Sequence, residues 1–143
     1  MIELLSGVDL FLPSRQDVVA ILPGEPLEGL SKLRALAPGV TLIAIKCAAE
    51  GVIAHVAGAT EWVRIPAVQV TLVDATGAGD AFSGGVLAGF VAKDDPIEAL
   101  LYGVVSASFC VEGRDFAGLV AATGEKASDH VAPLRQLVEF QPM

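Results

Sequence analysis

The sequence predicts an α/β fold, a parallel sheet flanked by helices, and three observations carry that expectation. Val40-Thr-Leu-Ile-Ala-Ile45 is a near-continuous apolar run of strand length, as expected of a strand buried on both faces. Helical stretches separate it from an earlier apolar run at residues 8–12, which is the strand–helix–strand order of a parallel crossover. A further run, Val70-Thr-Leu-Val73, leads into a glycine-rich turn, Thr76-Gly-Ala-Gly79, and a helix opening at Asp80. This strand is expected at the centre of the sheet with Asp80 at its C-terminal edge, where open α/β sheets bind ligands.

The first strand is ended by Pro13. Ser14-Arg-Gln-Asp17 then opens a helix reaching about Leu22, with Ser14 as N-cap and Asp17 at the third helical position, a capping box. Residues 27–36 read as a second helix with Leu30, Leu33 and Leu36 on one side, stopped by Ala37-Pro-Gly39. After the strand at 40–45, residues 52–56 and 61–65 form a hairpin around Ala57-Gly-Ala-Thr60, in which Trp62 is expected to pack. From Asp80 onward Phe82, Val86 and Phe90 share one helix face, and small residues at 81, 84, 85, 88 and 89 suit close approach to a neighbouring backbone. Asp95-Pro-Ile-Glu98 starts another helix with an N-cap, a proline at the first position and a capping-box acid, running to about Val111. Residues 127–140 hold a last helix with Leu134, Leu137 and Val138 as its apolar face.

A chain of 143 residues, 53% hydrophobic and 18% charged, is about one apolar-rich domain. Its formal charge of −8, with no lysine and arginine cluster to offset it, argues against a nucleic-acid partner. No uncharged apolar run is long enough for a bilayer, and Met1-Ile-Glu-Leu-Leu5 lacks the basic start of a signal peptide, so no membrane partner is expected. Cys47 and Cys110 sit far apart in apolar surroundings and read as buried free thiols of a reducing, cytoplasmic compartment. His55 and His130 have no ligand-spaced companions, which leaves them surface or core roles.

The turn at 76–80 carries the chemistry. A helix N-terminus presents unpaired N–H groups and the positive end of the macrodipole, so a glycine turn feeding it makes an anion site. An aspartate at the same place adds a proton acceptor, a combination suited to phosphoryl transfer onto a hydroxyl. A P-loop is excluded because no lysine follows these glycines, and the dinucleotide fingerprint because Phe82 stands where its third glycine belongs. The plain alternative is a sharp strand-to-helix turn capped by Asp80.

Asp74-Ala-Thr-Gly-Ala-Gly-Asp80-Ala-Phe-Ser-Gly-Gly85 resembles the C-terminal signature of the ribokinase-like (PfkB) carbohydrate kinases, Asp-Thr/Ser-Thr-Gly-Ala-Gly-Asp followed by Ala-Phe-x-Gly-Gly, from which only Ala75 departs. The resemblance implies Asp80 as catalytic base, the amides of Gly77, Ala78 and Gly79 as an anion hole, and Thr76 beside the nucleotide. It implies that Asp74 helps form a monovalent-cation site, for K+ in some members. The strand followed by Pro13-Ser-Arg-Gln-Asp17 is similar to the family's Pro-Asn-x-x-Glu, whose acid serves the Mg2+ region; that role and the capping box both stand for Asp17. Lys46-Cys-Ala-Ala-Glu-Gly51 resembles the turn beside the nucleotide, with Ala48 where glycine is usual, and implies nucleotide contacts for Lys46 and Gly51. The stretch ending at Gly113 resembles the helix that closes over the adenine, with Val104 where many members carry asparagine.

The resemblance runs over nearly the whole chain but matches only the second half of the family's architecture, so residues 1–143 are expected to form a single partial ribokinase-like domain, a truncated form without the family's N-terminal half and lid. ATP and Mg2+ are the implied cofactors and a sugar hydroxyl the acceptor. Two alternatives stand beside this: a nucleoside kinase of the same fold, or a non-catalytic nucleotide-binding module. Self-association through an exposed sheet edge is a further expectation.

Overall fold

The computed structural model describes residues 5–114, 117–122 and 124–142. They fall into two compact units, one built from residues up to Arg64 together with those from Glu139 on, the other from Ile65–Val138.

The first unit carries the sheet. Strand β1 (Leu10–Phe11) is followed by helices α1 (Arg15–Ile21) and α2 (Pro26–Leu36), then strand β2 (Leu42–Lys46). β1 and β2 pair in parallel, Leu10 opposite Leu42, so the expected crossover is present. Beyond it the sheet changes character. β3 (Val52–Val56) runs antiparallel to β2, β4 (Glu61–Ile65) lies next to β3, and β5 (Glu139–Pro142) closes the order antiparallel to β4. The sheet is therefore mixed, the parallel crossover being joined to antiparallel strands. The reason is local: the short links between β2, β3 and β4 cannot return a chain to a parallel start, which takes a dozen or more residues.

Leu42, Ile43, Ala44 and Ile45 are fully buried, in keeping with their unbroken apolar run. Val18 of α1, Leu30 and Leu33 of α2, Ile43, Ile45 and Trp62 form one core, and each large side chain so buried contributes about 1.5–3 kcal/mol. Trp62 packs, as expected, with its ring edge-on to His55 at 5.7 Å. His55 is itself buried beside Arg34. The arginine Nε–H donates to His55 Nδ1 at 2.9 Å and its other nitrogens to the carbonyls of Val40 and His55. Accepting at Nδ1 makes His55 neutral, with its Nε2–H donating to Ala59 O. Burial first, and the Arg34 charge after it, hold the His55 pKa below its usual value.

The second unit is helical: α3 (Ala78–Lys93), α4 (Pro96–Val111), α5 (Ala117–Ala121) and α6 (Gly124–Arg135). Two of the small residues of α3, Gly85 and Gly89, make the close approach that their pattern suggested. A Cβ on Gly85 would come within 2.6 Å of the Tyr102 carbonyl oxygen, and one on Gly89 within 2.7 Å of Ala99 Cα. α4 returns the favour through Gly103, whose missing Cβ leaves room for Val86. Gly84 faces open space.

Three expectations fail in this unit. Residues 70–73 are not a strand; they lie outside the sheet, so Asp80 is not at the edge of a central strand. Val73 and Asp74 instead donate their N–H groups to the carbonyl of Val111, at 2.7 and 3.2 Å, so the C-terminal end of α4 satisfies amides that a neighbouring strand would have paired. The last helix does not reach residue 140: α6 stops at Arg135 and the following segment is drawn into the sheet as β5, which leaves Val131 and Leu134 buried and Leu137 exposed. Asp95 does cap α4, accepting from the Ile97 and Glu98 amides, but Glu98 does not complete a capping box. Its carboxylate meets the guanidinium of Arg135 in a two-pronged pair at 2.6 and 2.7 Å, an interaction about twice as strong as a neutral hydrogen bond.

Candidate active site

The signature forms a compact turn in the second unit. Asp74 Oδ1 accepts the Thr76 N–H at 2.9 Å, a local Asx turn that also holds the Asp74 pKa below its usual value. Ala78 N–H reaches back to Ala75 O at 3.2 Å. Gly77 is the N-cap of α3, in the left-handed region at φ 80°, where a side chain would be strained. The helix thus starts at Ala78 rather than at the aspartate, and Asp80 is its third residue. Gly77 offers no side-chain cap, and among the described residues the amides of Gly77, Gly79 and Asp80 have no acceptor. The Ala78 amide is engaged within the turn, whereas that of Asp80 has no acceptor among the described residues. The Asp80 side chain is exposed. Gly113, expected beside the nucleotide, packs its backbone against Gly118 after the end of α4.

Asp17, Lys46 and Gly51 belong to the first unit. Asp17 Oδ2 accepts from the Ser14 N–H and hydroxyl at 2.9 and 2.6 Å, while the Asp17 N–H donates to Ser14 Oγ at 3.2 Å, so the capping box is complete. Those bonds to Ser14, and then the Lys46 charge, hold the Asp17 carboxyl below its usual range. Lys46 is brought to the same place because its N–H donates to Pro13 O at 2.9 Å and it bridges to Ser14. Gly51 closes a one-turn 3-10 helix, Ala48–Glu50, at φ 89°. Ala48, where the family usually has glycine, adopts φ 52° all the same. Sequence reading missed Arg15, which pairs with Glu50 and ties α1 to this turn, and a cleft of about 200 Å³ beside it, lined by Arg15, Cys47, Glu50, Trp62 and Arg64. No composition or spacing signal links Arg15 to Glu50, since the pair exists only once β2 is seated beside α1. Among the described residues, no three His, Cys, Asp or Glu side chains cluster to hold a metal ion, and no helix is long and apolar enough to cross a membrane.

The fold is that of the ribokinase-like α/β proteins, and a helix start with unpaired amides presents hydrogen-bond donors to an anion. The chain belongs to the pfkB family of carbohydrate kinases, whose family model matches residues 1–118. It is 31% identical over 112 residues to an uncharacterized sugar kinase of Archaeoglobus fulgidus, covering 78% of this chain and 43% of that one. It is 29% identical over 96 residues to a cytidine kinase of Thermococcus kodakarensis, covering 67% and 34%. A candidate ribokinase II of E. coli, solved with ATP and Mg2+, superposes with a TM-score of 0.75 at 22% identity, covering 92% of this chain and 42% of that one. The chain therefore spans less than half the length of the relatives it matches.

Proposed function

We propose that this chain provides the phosphate side of an ATP-dependent kinase acting on a sugar hydroxyl, with Asp80 as the base that takes the hydroxyl proton onto a carboxylate oxygen. The observation that carries the reading is the uncapped start of α3, where the amides of Gly77, Gly79 and Asp80 have no acceptor among the described residues and the Asp80 carboxylate is exposed. Those amides would steady the transferred phosphoryl group as its oxygens gain charge, and the macrodipole adds to them. Asp74 acts on the turn, through its bond to the Thr76 amide, and a K+ role for it remains part of the family analogy alone.

The donor set fits a nucleotide phosphate better than a bare metal ion. Mg2+ usually takes one or two carboxylates together with substrate phosphates, and Asp17 keeps one oxygen, Oδ1, outside its capping box. Mg2+ held by Asp17 would supply charge neutralisation. The relationship to a cytidine kinase favours a second reading in which the acceptor is a nucleoside hydroxyl.

Acceptor contacts are assigned to the length of the relatives that this chain does not span. Holding an acceptor in line is worth about 7–11 kcal/mol of barrier, so the 143-residue chain by itself should turn over poorly. The test is ATP consumption across a panel of sugars and nucleosides, run on a chain that also carries the length of the relatives not spanned here, and on its Asp80→Asn variant. Turnover of one acceptor class and its collapse in the variant support the reading; equal rates in the two proteins would remove Asp80 from the mechanism.

A further inference from the structure

The loop that delivers the chain into α3 has no strand to hold it, and its order comes from the last turn of α4. Val111 O accepts from both Val73 and Asp74 N–H groups. One residue earlier on the same turn, Cys110 Sγ lies 3.4 Å from Thr76 O. Cys110 is fully buried. The three contacts bracket Asp74, whose own carboxylate fixes the Thr76 amide, so the peptides on both sides of Thr76 are tied down immediately before the left-handed Gly77. Resting on the reading of 77–80 as a phosphate site, we infer that Cys110 is a positioning residue for that site: its S–H, donated to Thr76 O, sets the plane of the peptide from which the free amides of Gly77, Gly79 and Asp80 are launched.

The chemistry is consistent with donation and nothing else. Burial, and after it the charges of Asp74 and Asp80, push the Cys110 thiol up, so the sulfur keeps its proton at neutral pH and faces a carbonyl that can only accept. A thiol chosen for packing alone would have no need of an acceptor, whereas serine at this position would keep the donor on a shorter arm. Rotation of the Thr76 peptide would swing the next N–H away from its neighbours. A phosphate bound by converging amides is sensitive to that direction, because hydrogen bonds weaken steeply with misalignment.

The test uses the 143-residue protein labelled with 15N, as wild type and as Cys110→Ala, Cys110→Val and Cys110→Ser. Valine fills the space without a donor, and serine restores the donor. Two readouts are taken: backbone order parameters for residues 75–79, and the affinity for ATP with Mg2+ from the amide shifts of Gly77, Gly79 and Asp80. The alanine and valine variants should loosen 75–79 and weaken ATP binding by about threefold, the scale of one modest hydrogen bond, and serine should restore both. If the valine variant keeps wild-type loop order and affinity, Cys110 merely packs and the inference is overturned. If the valine variant loosens the loop while the wild-type amides do not respond to ATP, the anchoring stands and the phosphate reading of the turn is the part that fails.

Discussion

Helices α1 and α3 both carry an aspartate at the third helical position, and their starts are built in opposite ways. At α1 the N-cap is Ser14, and the hydroxyl and Asp17 carboxylate close a reciprocal ring of hydrogen bonds on each other's backbone amides. At α3 the N-cap is Gly77, held at φ 80° with nothing to offer, and Asp80 is exposed and turned to no partner. The acid is common to both; the cap residue decides its use. A serine turns the helix end inward and satisfies it, and a glycine leaves the same amides free for an anion. α4 shows a third outcome: Asp95 caps the amides by itself, and the acid at the third position, Glu98, is released to pair with Arg135.

The sharpest break of this comparison is Asp80→Asn in a chain that also carries the length of the relatives not spanned here. The amide keeps the shape but cannot take a proton, so turnover should fall by about 10²–10⁴ while ATP still binds. Ser14→Ala is the matched control at the closed end, and a comparable fall in turnover there would erase the distinction between the two starts.

Next in size is Gly77→Ala, which forces a side chain into the left-handed region. It should cost about 1–2 kcal/mol in urea unfolding and loosen the free amides. An unfolding midpoint equal to wild type would mean that the turn tolerates another geometry. Ser14→Ala removes the α1 cap and should cost about 1 kcal/mol; a neutral result would show that Asp17 and Lys46 hold that start without the hydroxyl.

That difference should also depend on pH in one direction. The Asp17 pKa is depressed in the folded chain, so the box contributes fully above the unfolded value of about 3.9 and is lost as pH falls through the lower folded value. The gap in melting temperature between wild type and Ser14→Ala should therefore hold from neutral pH to about 5 and shrink below about 4. A gap already closing near pH 6 would point to another group.

The smallest effect is expected at Ala48, which adopts φ 52° without being glycine. Ala48→Gly relieves that strain and loses some of the gain to unfolded-chain entropy, leaving roughly 0.5 kcal/mol of added stability. A destabilised variant would show that the Ala48 methyl packs usefully enough to outweigh its backbone cost.

The features that the sequence determined by itself are those closed within a few residues. The Ser14 capping box, the Asp95-Pro96 helix start, the hairpin around residues 57–60 and the glycine turn into α3 all depend on neighbours at fixed short spacing, so residue type alone specifies them. The placement of Gly77, Gly79 and Asp80 at the start of α3 was legible for the same reason. Partners far apart in the chain were decided only by the tertiary structure. Val70-Thr-Leu-Val73 has strand-forming residues, but β-propensity records only how a residue fits a pleated surface, and here Val111 at the end of α4 takes the amides instead. Glu139–Pro142 has a helical-looking approach and becomes a strand because the open edge of β4 offers it hydrogen bonds from more than seventy residues away. Glu98 leaves its own helix end for Arg135 because a guanidinium fork binds a carboxylate more strongly than one backbone amide does. In each case the local preference was real, and a distant group with a stronger or otherwise unmet hydrogen-bonding demand overrode it.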